Sequence, residues 1–80
     1  MTRFYFNLHE TGEIVRDIEG REFPDLSAAK RAAIKDARSI MGYDISRGSL
    51  CMSHHIDIQN EHCERVARVT FKDALKIAGL

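Results

Sequence analysis

Residues 26–48, LSAAKRAAIKDARSIMGYDISRG, decide the architecture of this chain. At 100° per residue Leu26, Ala29, Ala33, Ile34, Ala37, Ile40, Met41 and Ile45 fall on one side, with Arg31, Lys35 and Arg38 grouped beside them. The spacing predicts one amphipathic helix of about five turns, ending near Gly48. Its apolar stripe is rich in alanine, and small side chains let a helix lie close on a sheet.

Working outward, Asp25 stands where a side-chain oxygen can cap the helix by accepting from its free amides. Before it, DIEGREFPD carries Gly20 and Pro24 and reads as irregular. RFYFNLH (3–9) alternates, with Phe4, Phe6 and Leu8 on one face and Tyr5, Asn7 and His9 on the other, as a half-buried strand does. ETG turns the chain and EIVR (13–16) returns it, giving a hairpin. Beyond the helix, His54 to Gln59 alternates with Ile56 and Ile58 in phase, NEHC turns, and Glu64 to Phe71 returns with Ala67, Val69 and Phe71 in phase. Thr70 and Asp73 resemble a capping box, so FKDALKIAGL closes the chain as a short helix burying Leu75 and Ile77, or Ile77 and Leu80. The expectation is a single α+β domain over residues 1–80, ββαββα, with a four-stranded, mainly antiparallel sheet packed on one long helix in two layers.

Composition limits function more than it reveals it. Eighty residues make one domain, near the lower size at which a core folds unaided, so self-association is an option. Twelve Lys plus Arg balance twelve Asp plus Glu, and no net field draws the chain to nucleic acid or an anionic membrane. No apolar run approaches the roughly 18 residues of a membrane span. The opening MTRFYFNLHE lacks the apolar segment of a signal peptide, which points to the cytoplasm and to reduced Cys51 and Cys63.

RFYFNLH at the start, DIEGREFPDLSAAKRAA in the middle and VTFKDAL near the end resemble a family of short bacterial proteins of unknown function, domain of unknown function 6894. The shared features are an aromatic first strand (Phe4 to Phe6), a D-x-x-G-x-E-(F/L)-P-D-L helix entry (Asp17 to Leu26) and a final (F/L)-x-D-A-L turn (Phe71 to Leu75). The resemblance implies a fold and no activity. The cysteines and histidines of residues 51–63 lie outside that pattern.

That segment, CMSHHIDIQNEHC, invites a metal reading through Cys51, His54, His55, His62 and Cys63. Zinc draws its ligands together at about 2.0–2.3 Å. Here one group precedes the strand and the other follows it, about 20 Å or more away at roughly 3.3 Å per residue. His54 and His55 also point to opposite faces. The segment therefore reads as polar residues at a strand start and a hairpin tip, and a metal shared between two subunits is the version that survives. No metal site, cofactor or catalytic set is expected. His62 beside Cys63 has no third group to orient the imidazole, the glycines form no phosphate cradle, and Asp17 with Glu19 belongs to a turn.

Two surfaces remain. Arg31, Lys35 and Arg38 could contact phosphates, although a row of this kind is more often a solvated helix face. The open face of the sheet carries Tyr5, Asn7, His9, His55, Asp57 and Arg68, and such a face can be wet or can meet a second copy or a partner. The leading expectation is a non-enzymatic protein-interaction module, with a homodimer as one form, acting through that face or a sheet edge. The alternative is a small nucleic-acid-binding protein using the basic helix row.

Overall fold

The computed structural model describes residues 1–75, so the expected burial of Ile77 or Leu80 lies outside the described residues. The elements run β1 (Thr2–Glu10), β2 (Glu13–Val15), β3 (Arg21–Phe23), α1 (Leu26–Ser46), β4 (His55–Gln59), β5 (Arg65–Thr70) and α2 (Phe71–Ala74). The expected α+β architecture holds: an antiparallel sheet, one long helix and a short one after β5. The sheet gains a fifth strand, because REF inside the irregular stretch pairs with β1.

The sheet order is β2-β1-β4-β5, and β3 shares with β2 the outer edge of β1. Along that edge β2 pairs with Leu8 to Glu10, and β3 pairs with Thr2 to Phe4. Arg16 to Gly20 must therefore span the stretch opposite Tyr5 to Asn7, which is too short for it, and the chain bulges out. Gly20 makes the return possible. It has φ +71, and a Cβ there would stand 2.9 Å from the Phe4 carbonyl oxygen and from side-chain atoms of Arg3 and Tyr5.

Helix α1 starts and stops as its sequence dictates. The Asp25 carboxylate accepts from the Ala28 amide at 2.8 Å. At the other end the Gly48 amide donates to the Ile45 carbonyl and the Ser49 amide to the Asp44 carbonyl, with Gly48 at φ +82. That pair of bonds is a Schellman stop, which gives the Asp44 and Ile45 carbonyls partners.

Between helix and sheet, Ala29, Ala33, Ala37 and Met41 meet Phe4, Ile56, Ile58, Val69, Phe71 and Ala74 in one core. The three alanines are fully buried, and their lack of bulk lets α1 settle onto β4 and β5. Phe71, Met41 and Ile58 are the largest fully buried side chains, each contributing about 1.5–3 kcal/mol on burial. Ile45, placed on the stripe by periodicity, is 56% exposed, so the last helical turn runs past the sheet. At the rim Phe6 stacks on Phe23 at 5.7 Å, the Arg21 guanidinium lies 4.6 Å from the Phe6 ring centroid, and Arg21 also pairs with Asp36 of α1.

Two glycine substitutions separate strain from entropy. Gly20→Ala places a methyl against the β1 backbone in a left-handed conformation and should lower stability by about 1–3 kcal/mol in urea melts. Gly42 lies inside α1 with nothing within 4 Å of a new Cβ. Gly42→Ala should therefore raise stability by about 0.5–1 kcal/mol in the same melts.

Candidate functional site on the open sheet face

A strand alternates its side chains, so packing Phe4, Phe6 and Leu8 toward α1 sends Arg3, Tyr5, Asn7 and His9 to the other face. No helix or strand among the described residues covers that face, although the loop from Arg16 to Gly20 reaches it at Asn7 and Tyr5. Register then sets which residues meet. Asn7 stands opposite Asp57 and Asp57 opposite Arg68, while His9 stands opposite His55 and His55 opposite Thr70. Tyr5, Gln59 and Arg65 form a third row.

The six side chains expected on this face fall in adjacent rows, with His9, His55 and Arg68 gathered on Asp57 and Tyr5 standing apart. Asp57 is only 7% exposed and Asn7 only 4%, although nothing packs above them as a layer. Longer neighbours close over Asp57, and the loop at Asp17 lies against Asn7. Arg68 donates to Asp57 through Nε at 2.8 Å and through Nη2 at 3.4 Å. His9 Nε2 lies 3.2 Å from Asp57 Oδ2, and His55 Nε2 lies 3.7 Å from Oδ1. The two imidazoles stack at 4.5 Å with 15° between their planes. Among the described residues His55 Nε2 is buried without a hydrogen-bond partner.

Electrostatics follow from this crowding. Burial pushes the Asp57 carboxyl upward, but the Arg68 hydrogen bond and charge, with the two imidazoles, hold it below the usual carboxylate range. Burial, followed by the charge of Arg68, pushes His55 below the ordinary histidine value. The neutral imidazole is thereby favoured beside an ionised Asp57.

The loop after β2 reaches the same face. Asp17 Oδ2 accepts from the Phe6 amide at 3.0 Å, and Oδ1 accepts from the amides of Glu19 at 3.2 Å and Gly20 at 3.0 Å. The Asp17 amide donates to Asn7 Oδ1 at 2.9 Å, tying the loop to the middle row. Burial raises the Asp17 pKa, and the three amides and Arg21 more than offset it, so the carboxyl sits below its ordinary value.

The 51–63 segment splits as its spacing implies. Cys51 Sγ lies 3.0 Å from Ser53 Oγ near one end of β4, and hydrogen bonds from Ser53 lower its thiol pKa. His54 packs edge-on against Phe71 and faces Glu10 at 3.9 Å. His62 and Cys63 sit beyond the other end of β4, in a turn organised by Asn60, whose side-chain oxygen accepts from the His62 and Glu64 amides. Among the described residues of this segment only His55 joins two other potential ligands. It does so with His9 and Asp57, whose ligand atoms all lie within 4.8 Å of one another. Sequence reasoning named all three and missed that they converge, since only the pairing of β1 with β4 brings His9 beside His55.

The basic row on α1 stands apart from this cluster. Arg31, Ile34, Lys35 and Arg38 line a shallow hollow of about 300 Å3. Arg38 Nε donates to the Ala74 carbonyl at 2.8 Å, clamping α2 to α1, and Arg31 donates to Ser27 at 3.0 Å. No described helix is long and apolar enough to cross a membrane.

Asp17→Asn tests the loop that frames the face. Because the folded pKa of Asp17 lies below its ordinary 3.8, its stabilisation is complete above that value and is lost as pH falls through the folded pKa. The variant should be less stable at neutral pH by about 1–3 kcal/mol. In urea melts the gap between the two proteins should narrow on acidification below pH 4.

No curated protein and no solved structure matches the chain. Residues 3–72 match the family described as domain of unknown function (DUF6894). With the aromatic residues Phe4 to Phe6, the Asp17–Gly20 loop and the Thr70 cap inside the matched region, the chain belongs to that family.

Proposed function

We propose that the chain is a non-enzymatic interaction module whose working surface is the open face of the sheet. The observation that carries this reading is the Tyr5–Gln59–Arg65 row on a face that no helix or strand among the described residues covers. Among the described residues none of these side chains makes a hydrogen bond, whereas in the adjacent row Arg68 donates to Asp57 and Asn7 Oδ1 accepts from the Asp17 amide. A rigid polar row beside a free one containing tyrosine and arginine offers anchors of the kind that dominate protein interfaces. Ile14, paired with His9 and 47% exposed, adds apolar surface at the border.

The face is favoured over the edges by the condition of the edges themselves. β5 carries a bulge at Val66 and the cations Arg65 and Arg68, and the far edge of β1 is broken into β2 and β3. Both are devices that discourage strand addition. No nucleophile stands paired with a base among these residues, which supports a binding role over a catalytic one.

The hollow on α1 supports a second reading, contact with the phosphates of a nucleic acid through Arg31, Lys35 and Arg38. Arg38 is already committed to Ala74, which leaves fewer free donors for that role.

Light scattering over a range of concentrations, together with affinity capture from cells of the source, should show self-association or a retained partner that Tyr5→Ala with Arg65→Glu abolishes. A strict monomer that retains nothing would sink the interaction reading. For the alternative, changing Arg31, Lys35 and Arg38 to glutamine should abolish any DNA or RNA binding measured at low salt.

A further inference from the structure

We propose that His9, His55 and Asp57 bind one divalent transition-metal ion of the zinc class. The donor set is two imidazole nitrogens and a carboxylate oxygen, which suits zinc, cobalt or nickel better than the all-oxygen ions magnesium and calcium or thiolate-seeking copper(I). A tetrahedral ion with bonds of about 2.0–2.2 Å holds its donors roughly 3.3–3.6 Å apart. The Nε2 atoms of His9 and His55 already stand 3.2 Å and 3.7 Å from the two oxygens of Asp57.

Two further observations point to a ligand. His55 Nε2 is buried and makes no hydrogen bond, although it is aimed into the cluster, and an ion would give its lone pair a partner. Arg68 Nε holds Asp57 Oδ1 from outside the cluster, fixing the carboxylate as the outer-shell partner of a metal ligand does. By contrast, His54 Nδ1, also buried without a partner, faces a single carboxylate oxygen, that of Glu10. Only the first group supplies three donors.

Two costs set the strength. The Arg68 cation repels the ion, and the stacked rings must fan apart, since the lone pairs of near-parallel imidazoles do not meet at one point. Both costs weaken binding, and the remaining positions on the ion are open on the solvent side of the sheet. This inference does not rest on the interaction reading, and its test involves no partner.

The full chain, purified without a metal column and stripped with a chelator, is titrated with zinc by calorimetry at neutral pH. Cobalt(II) added in parallel reports coordination through its visible absorption. One saturable equivalent is expected. His9→Ala and His55→Ala should each weaken binding about tenfold or more, because loss of an outer-shell partner alone costs that much. Should an alanine variant fail to fold, His9→Gln or His55→Gln replaces it. Cys51→Ser with Cys63→Ser should leave binding unchanged. Absence of saturable binding, or binding kept without His9 and lost without the cysteines, overturns the proposal.

Discussion

The carboxylate of Asp17 closes the one place where this sheet cannot close itself. Strand β1 is long, and the strands that cover its outer edge, β2 and β3, are three residues each and out of register with one another. Between them the Phe6 amide would be left without a partner, a cost of about 1–3 kcal/mol for a buried donor. Asp17 supplies the acceptor and gathers the Glu19 and Gly20 amides in the same stroke. The loop is thereby held tight against β1, Gly20 can approach the Phe4 carbonyl, and β3 is delivered to its register. Pro24 and Asp25 follow at once, so the start of α1 is positioned by the same contact.

Much of this is legible because the rules involved are local. The α1 stripe, the Asp25 cap and the Gly48 stop each depend on residues a few positions apart, and period-two alternation assigns Tyr5, Asn7 and His9 to one face without any tertiary knowledge. What escapes is whatever needs a second strand. REF between Gly20 and Pro24 is too short to show alternation, and it becomes a strand only because Asp17 and Gly20 hold it against β1. Ile45 obeys the helical period yet lies exposed, since periodicity says nothing of where the sheet ends. The meeting of His9 with His55 is a property of register, and a one-residue slip between β1 and β4 would separate them.

The open face shows how a polar surface can bury a charge without a second layer. Asp57 occupies the centre of a three-strand row, where the flanking side chains are long enough to lean inward, and each brings a positive or hydrogen-bonding group. Its ionised state stabilises the arrangement, and the arrangement keeps it ionised. Asn7, the neighbour of Asp57 on β1, accepts from the Asp17 amide, so the clasp on the sheet edge is anchored in the same row as the cluster on the face. His55 is the exception: among the described residues its Nε2 is the one buried atom of the cluster without a hydrogen-bond partner.

That distribution bears on how such a domain meets other molecules. Strand addition reads mainly backbone, and backbone is little offered here: β5 is bulged and cationic, and the opposite edge is interrupted. A side-chain surface reads identity instead. Of the rows on the open face, Asn7–Asp57–Arg68 is held by the Arg68–Asp57 pair and the Asp17 amide, while Tyr5, Gln59 and Arg65 make no side-chain hydrogen bond among the described residues. Pre-ordering the first row lowers the entropy lost when the second is engaged, because the strands beneath it are already fixed. A domain this small gains specificity by holding part of its surface rigid, and the buried carboxylate at its centre does that holding.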